Sequence, residues 1–152
     1  MKKVLGLCTA TLMAIAVGTQ PMNVFASDTN LGLQYEESDF EKAAGLISKY
    51  SLSIENVNGD VSITAQTKSN SIMSVIGFKN ISVQHSSDCV NWIEEVHVSN
   101  QLNYNSTNKT LSGLLVDVSG GHYYRVQLNH YADNGSGTTQ TVPNTSNVIW
   151  IS

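Results

Sequence analysis

The segment between Gly120 and Tyr131 alternates between apolar and polar side chains, and no other feature constrains the fold of this chain as strongly. One face of an extended strand would carry Tyr124, Val126, Leu128 and His130. The opposite face would carry Tyr123, Arg125, Gln127, Asn129 and Tyr131. A side-chain period of two after a glycine turn is typical of a half-buried strand. The segment therefore predicts a central strand of an antiparallel β-sandwich.

Residues 1–26 have the organisation of a secretory signal peptide. Lys2 and Lys3 precede an apolar run over residues 4–17, and Val24 and Ala26 occupy the two positions that a signal peptidase reads. The apolar run is shorter than the roughly 20 residues that span a bilayer. We expect cleavage after Ala26, secretion, and no membrane association of the mature chain.

The charge balance excludes some classes of partner. The chain has 12 acidic and 8 basic residues and a formal net charge of −4 at pH 7, and loss of Lys2 and Lys3 would make it more acidic. Nucleic acids and anionic membranes are bound by basic patches. We therefore expect neither as a partner.

Cleavage would remove Cys8 and leave Cys89 as the only cysteine. A disulfide within the mature chain is then impossible, and a small secreted domain must depend on its core. Lipidation at Cys8 is disfavoured, because Leu7 is large where a lipoprotein box has a small residue. Two interpretations of Cys89 stay open: an inert side chain, or an intermolecular disulfide that links two copies into a dimer.

Three segments are predicted: the signal peptide over residues 1–26, a linker or short helix over residues 27–49, and a β-sandwich domain over residues 50–152. Ser38 and Glu41 have the spacing of a capping box, which favours a helix. Gly45 weakens such a helix by about 1 kcal/mol. The alternative is that the chain from Gly45 onward already belongs to the first strand.

The remaining sequence alternates in roughly six to eight short stretches joined by turn residues. Asn58 and Gly59 tolerate positive φ and predict a hairpin turn. We expect polar loops at residues 68–71 and 101–109, and Pro143 at a bulge or on an edge strand. The predicted core includes Val83, Trp92, Val126, Leu128 and Trp150. The pattern favours an immunoglobulin or fibronectin type III-like sandwich.

Residues 81–92 (ISVQHSSDCVNW) resemble the hairpin of fibronectin type III domains and related extracellular sandwiches, where a Ser-Asp-Gly-type turn precedes a Trp. Cys89 replaces the glycine of that pattern, so the turn either holds Cys89 at positive φ or is wider. The motif GGHYYRV resembles the turn and tyrosine that open the pairing strand. This resemblance implies only the fold, because many functions share it.

Three stretches resemble a family of small uncharacterised secreted proteins of Gram-positive bacteria. They are NGDVSITAQTKS, SVIGFKNISVQ and GGHYYRVQLNHYADNGSGTTQTVPNTSNVIWI. The resemblance covers most of residues 54–151. It implies secretion and a β-sandwich, and it implies no activity and no site residues.

Few side chains are candidates for catalysis. His85, Asp88 and Cys89 lie close in sequence, but an activated thiolate needs a helix N-terminus or a cation beside it. No helix is predicted after Cys89, so a polar turn is the simpler interpretation. A small extracellular enzyme would have to take its acid and base from His85, Asp88, Glu94 and Glu95.

The histidines and the acidic loop do not have the spacing of metal sites. The four histidines lack the paired spacing of zinc ligands. Residues 133–137 lack the regular spacing and distal Glu of an EF-hand loop. Antiparallel strands would place His85 and His130 at opposite ends of the sheet, with His130 capping the core. We expect no metal site and no cofactor.

Tyr123, Arg125 and Tyr131 are the candidate binding residues, since they share the outward face of the alternating strand. Outward aromatic side chains can stack on sugars or contact a protein, although they can also simply pair with neighbouring strands. Our first hypothesis is a secreted, non-catalytic module that recognises an extracellular protein or glycan. The alternatives are a small extracellular enzyme and a secreted antagonistic or toxin-like protein.

Overall fold

The structure, a computed structural model, describes residues 45–152 as an antiparallel all-β fold. Its strands are β1 (Lys49–Val57), β2 (Asp60–Ser86), β3 (Ile93–Val98), β4 (Gln101–Val116), β5 (His122–Asp133), β6 (Thr139–Thr145) and β7 (Ile149–Ile151). Within residues 45–152, no helix is long and apolar enough to cross a membrane. The predicted signal peptide, the capping box and most of the N-terminal segment lie outside the described residues. Residues 45–48 are not helical, and β1 begins at Lys49, one residue before the predicted domain boundary.

Strand β2 organises the sheet, since it is 27 residues long and pairs with β1, β3, β4 and β5. Its first part, residues 60–68, lies between β1 and β4. Its second part, residues 73–86, has β5 on one side and β3 and β4 on the other. The pairing with β4 shifts register between Lys68 and Met73. One continuous sheet therefore curls, and side chains from both parts of β2 meet in one core.

The polar loops predicted at residues 68–71 and 101–109 are wrong, because both stretches are strand. In β4, for example, Tyr104 pairs with Val75 of β2. The backbone hydrogen bonds of a ladder do not depend on side-chain polarity. A strand whose outward side chains are polar therefore has the composition of a loop.

The core confirms the predicted inward face of β5. Five predicted inward side chains are buried: Val83, Tyr124, Val126, Leu128 and His130. All of them except His130 pack with apolar side chains from β1, β4 and β7, such as Ile54, Leu111 and Ile151. The two-residue period therefore identified the inward face of β5 correctly.

The predicted burial of both tryptophans is wrong. Trp92 is only partly buried, and Trp150 is 50% exposed. The cause in β7 is strand alternation, because Ile149 and Ile151 pack against the core and Trp150 between them points the other way.

Two turn predictions are confirmed. Asn58 and Gly59 adopt φ of 57° and 98° between β1 and β2, as a two-residue hairpin turn of this kind requires. Pro143 lies in β6, which is the last strand of the sheet path and thus an edge.

Side-chain amides bridge the edge of β1 to the end of the chain. Asn147, between β6 and β7, accepts the N–H of Ile54 through Oδ1 and donates its Nδ2–H to the carbonyl of Ile54, both at 2.9 Å. Gln140 Oε1 accepts the N–H of Ile47 at 2.8 Å. Asn147 thereby satisfies an edge position as a neighbouring strand would.

Substitution of Asn147 should test the importance of this bridge. We expect Asn147→Ala to lower the free energy of unfolding by about 2 kcal/mol, since both backbone groups of Ile54 lose their partner while its side chain stays in the core. Urea unfolding followed by tryptophan fluorescence would measure the loss. The control is Asn100→Ala, which removes one bond to the exposed Asn80 N–H. An equal loss in the two variants would contradict a bridging role.

Candidate functional site

The outward face of the sheet around β5 carries the candidate binding residues. Tyr123, Arg125 and Tyr131 are all partly buried side chains on this face. The register sets Tyr123 beside Trp150 of β7 and Arg125 beside Gln84 of β2. The face is therefore built by β2, β5 and β7 together.

Tyr123 and Trp150 form an aromatic pair. Their ring centroids are 4.8 Å apart with an interplanar angle of 67°, an edge-to-face arrangement. Trp150 is 50% exposed, so much of its indole faces solvent. A half-exposed indole held by a neighbouring ring is a flat apolar surface that a ligand can cover.

Arg125 is held in place by two neighbours. Its Cζ lies 4.3 Å from the centroid of the Trp92 ring, a cation–π contact. Its Nε–H donates to Gln84 Oε1 at 2.8 Å, and Gln84 Nε2–H donates in turn to Gln127 Oε1 at 3.1 Å. Partial burial lowers the pKa of Arg125, but a guanidinium keeps its charge at any physiological pH. We call Trp92, Tyr123, Arg125 and Trp150 the aromatic cluster.

The loop between β2 and β3 positions Trp92. Asp88 Oδ1 accepts the backbone N–H of Val90 and of Asn91 at 2.9 and 2.8 Å. These bonds, with the Asn91 amide and the Ser86 hydroxyl, hold the pKa of Asp88 well below its usual value. The Trp92 Nε1–H donates to the carbonyl of Cys89 at 3.2 Å. Asp88 therefore shapes the loop that carries Trp92.

Cys89 adopts a φ of 59°, so of the two predicted forms of this turn the structure has the one that holds Cys89 at positive φ. The side chain is partly exposed and is not a free thiol in this structure. The intermolecular disulfide at Cys89 stays a prediction.

Tyr131 lies apart from the aromatic cluster. Eight residues of extended strand separate it from Tyr123, roughly 27 Å. The Nζ of Lys79 lies 3.2 Å from the centroid of the Tyr131 ring. The Tyr131 hydroxyl donates to Asp133 Oδ2 at 3.4 Å. The structure therefore divides the predicted binding residues into two groups, with one face of the Tyr131 ring covered.

A second polar cluster lies around Glu95, at the end of the sheet where β5 begins. Glu95 Oε1 accepts the N–H and the hydroxyl of Ser119, both at 2.8 Å, and Oε2 accepts the hydroxyl of Tyr124 at 3.0 Å. Burial raises the pKa of Glu95, but these hydrogen bonds outweigh it and keep that pKa below its usual value. His85 Nδ1 lies 4.0 Å from Oε2, and the His122 ring is 4.6 Å from the His85 ring.

The acid and base candidates of the enzyme hypothesis are divided by the fold. His85 and Glu95 lie together, whereas Glu94 is half-exposed and lies 3.7 Å from His97. The Asp88 carboxylate accepts hydrogen bonds from the backbone of the β2–β3 loop. A carboxylate that is ionised and already accepts three hydrogen bonds is a weak general base. Glu95 is thus suited to fixing the β4–β5 connection through Ser119.

His130 lies far from His85, as predicted. On the β2–β5 ladder His85 pairs with Tyr124, whereas His130 pairs with Phe78. Among residues 45–152, no group of three or more His, Cys, Asp or Glu side chains is arranged to hold a metal ion. In the acidic loop, Asp133 Oδ1 accepts the N–H of Gly135 at 2.7 Å, as in an ordinary turn.

Sequence reasoning placed Tyr123 and Arg125 on this outward face but placed Trp92 and Trp150 in the core. The available signal was the flanking pair Ile149 and Ile151, because two inward neighbours in a strand direct the residue between them outward. No family model, curated protein or solved structure matches this chain. A functional interpretation therefore depends on the geometry of the aromatic cluster and of the cluster around Glu95.

Proposed function

We propose that this protein is a secreted, non-catalytic binding module that recognises an extracellular protein or glycan through the aromatic cluster. One observation carries the proposal: the half-exposed Trp150 packs against Tyr123 on the face that also holds Arg125. Tryptophan, tyrosine and arginine are the residues most enriched at the energetic centres of binding surfaces. Their rigid placement lowers the entropy lost when a ligand binds.

A non-catalytic role is supported by the hydrogen bonding around Glu95. The carboxylate accepts three hydrogen bonds from Ser119 and Tyr124, and His85 Nδ1 lies beyond hydrogen-bond distance of it. This cluster fits a structural role at the start of β5. The enzyme hypothesis would need a base whose lone pair is directed at a substrate, and His85 Nδ1, which makes no hydrogen bond, is buried away from solvent.

We also propose that the curled sheet belongs to the immunoglobulin and fibronectin type III class of sandwiches. In such folds one layer contains the first, second and fifth strands, and the other contains the third, sixth and seventh. Here β1, the first part of β2 and residues 108–116 of β4 are neighbours, and so are β3, the second part of β2, β5 and β6. Residues 101–106 of β4 pair with the second part of β2 and link the two groups. The two parts of β2 would thus act as the second and third strands, without a break between them.

Secretion is part of the same proposal. Its support is the signal-peptide pattern of residues 1–26, and the resemblance to small secreted proteins of Gram-positive bacteria agrees with it. A secreted domain with this surface would meet its partner outside the cell.

Binding of the purified protein to arrays of extracellular glycans and cell-surface proteins would test the proposed function. We expect Trp150→Ala to reduce binding to the recognised ligand at least tenfold. The matched control is Leu115→Ala, which removes another exposed apolar side chain, 54% exposed, from β4. Equal binding by the two variants, or no binding by the unmodified protein, would contradict the proposal.

A further inference from the structure

We propose that the aromatic cluster binds a sugar that carries a carboxylate, of the uronic acid class, with the sugar ring on Trp150 and Tyr123 and its carboxylate on Arg125. This inference rests on the proposed function and names the ligand class of the same surface.

The first argument is the state of Arg125, the only arginine of the chain. One face of its guanidinium lies on the Trp92 ring, and its Nε–H donates a hydrogen bond to Gln84. Within residues 45–152, no carboxylate lies within ion-pair distance of Arg125. Both terminal amino groups thus keep donors for a ligand, in the fork geometry that matches a carboxylate.

The second argument is the spacing of the cluster. Tyr123 and Arg125 are two residues apart on one strand face, about 7 Å. Trp150 lies directly across from Tyr123 in the β5–β7 register. Because the Tyr123 and Trp150 rings meet at 67°, a pyranose ring would stack on the exposed Trp150 indole and touch Tyr123 at its side, and its exocyclic carboxylate would extend along β5 toward the guanidinium. Stacking and a bidentate ion pair would then act on one sugar unit.

The third argument is the charge around the cluster. Glu94 pairs with Gln84 in the register of β2 and β3, but its carboxylate lies 3.7 Å from His97. Lys79 is at the other end of the face, over Tyr131. Arg125 is thus the one cation within the aromatic cluster, and one cation in a chain of net charge −4 favours a ligand with one carboxylate per unit over a strongly acidic peptide, which binds a cluster of cations.

Tryptophan fluorescence can test this inference directly, because the two tryptophans of the chain both belong to the aromatic cluster. The purified protein would be titrated with oligogalacturonate, oligoguluronate and hyaluronan fragments, each beside its carboxyl-reduced, neutral counterpart. We expect at least one acidic oligosaccharide to bind ten times more tightly than its neutral form.

Variants identify the groups that carry this preference. Arg125→Gln should remove the preference for the acidic form, and Trp150→Ala should weaken binding of both forms. Lys79→Gln, which removes the other cation of this face, should leave both affinities unchanged, and circular dichroism would verify that each variant is folded. An unchanged preference in Arg125→Gln, or equal binding of acidic and neutral forms, would overturn the inference.

The outcome also separates this inference from the proposed function. Binding of oligoglutamate or a surface protein that depends on Trp150, with no response to any uronic acid, would overturn the ligand class and retain the binding module. Failure of every glycan and protein probe would overturn both.

Discussion

Acidification from pH 7 to pH 4 is expected to lower the free energy of unfolding by about 3 kcal/mol through His130 alone. Burial lowers the pKa of His130 from 6.5 to about 4 in the folded domain. Between these two values the unfolded chain binds a proton that the folded chain does not. The contribution of His130 is therefore complete above pH 6.5 and is lost as the pH falls to 4.

The surroundings of His130 explain why it stays neutral. The side chain is fully buried against Tyr50 and Phe78, with ring centroids at 4.9 and 5.5 Å. Thr67 Oγ1 lies 2.7 Å from Nδ1 and donates its own proton to the carbonyl of Gly77 at 3.4 Å. Nδ1 is therefore the protonated nitrogen.

The second ring nitrogen accepts a hydrogen bond. Nε2 lies 3.3 Å from the Nδ2 amide of Asn144, which donates to it. A second ring proton would face this donor, and no carboxylate among residues 45–152 is paired with His130 to offset the charge.

Urea unfolding at a series of pH values would measure the effect. Between pH 7 and pH 4, we expect the free energy of unfolding of His130→Gln to fall by about 3 kcal/mol less than that of the unmodified protein, because the variant lacks the group that titrates. The control is His97→Gln, which removes a histidine whose side chain is 57% exposed. A full pH dependence in His130→Gln would show that other groups cause the acid sensitivity.

Gly77→Ala should destabilise the domain by at least about 3 kcal/mol, at the upper end of the cost of overpacking. Gly77 lies in the middle of the sheet, where it pairs with Leu102 of β4 and Tyr131 of β5. A methyl group there would collide with the backbone carbonyl oxygen of Gln101 and approach Leu102 Cα at 2.9 Å. Backbone atoms in a ladder cannot move aside without breaking hydrogen bonds, so the collision cannot be relieved locally.

The same substitution at another glycine supplies the control. Gly59 has a φ of 98° and nothing within 4 Å of an added methyl group. Gly59→Ala thus adds only conformational strain, of about 1 to 2 kcal/mol. Thermal unfolding monitored by circular dichroism would compare the two variants. A smaller loss for Gly77→Ala than for Gly59→Ala would contradict the close approach of β2 and β4.

Side-chain alternation predicted the part of the fold that depends on local pattern. The inward face of β5 and the turn at Asn58 and Gly59 followed from the sequence, because both are set by neighbouring residues. The 27-residue length of β2 did not, since residues 68–71 are polar and yet the strand continues through them, with Lys68 paired to both β1 and β4. Strand pairing depends on tertiary contacts, and the composition of one segment does not predict it.

The candidate site shows the same division. The sequence placed Tyr123 and Arg125 on one outward face, as the structure does. It gave the wrong side for Trp150 and could not bring Trp92 from the β2–β3 loop onto Arg125. The contact between Trp92 and Arg125 depends on the geometry of the turn at Asp88. Side-chain periodicity in the sequence does not predict the geometry of such a turn.

The indole N–H signals of Trp92 and Trp150 give the most direct test of a ligand-binding outward face. These are the only two indole signals in a proton–nitrogen NMR spectrum of this protein, because the chain has two tryptophans. The protein would be titrated with the tightest-binding uronic acid oligosaccharide, while the ring signals of His85 and His122 report on the cluster around Glu95. We predict that the Trp150 indole signal shifts with saturation and that the two histidine signals stay in place. Shifts of the histidine signals with an unmoved Trp150 would contradict the outward face as the site.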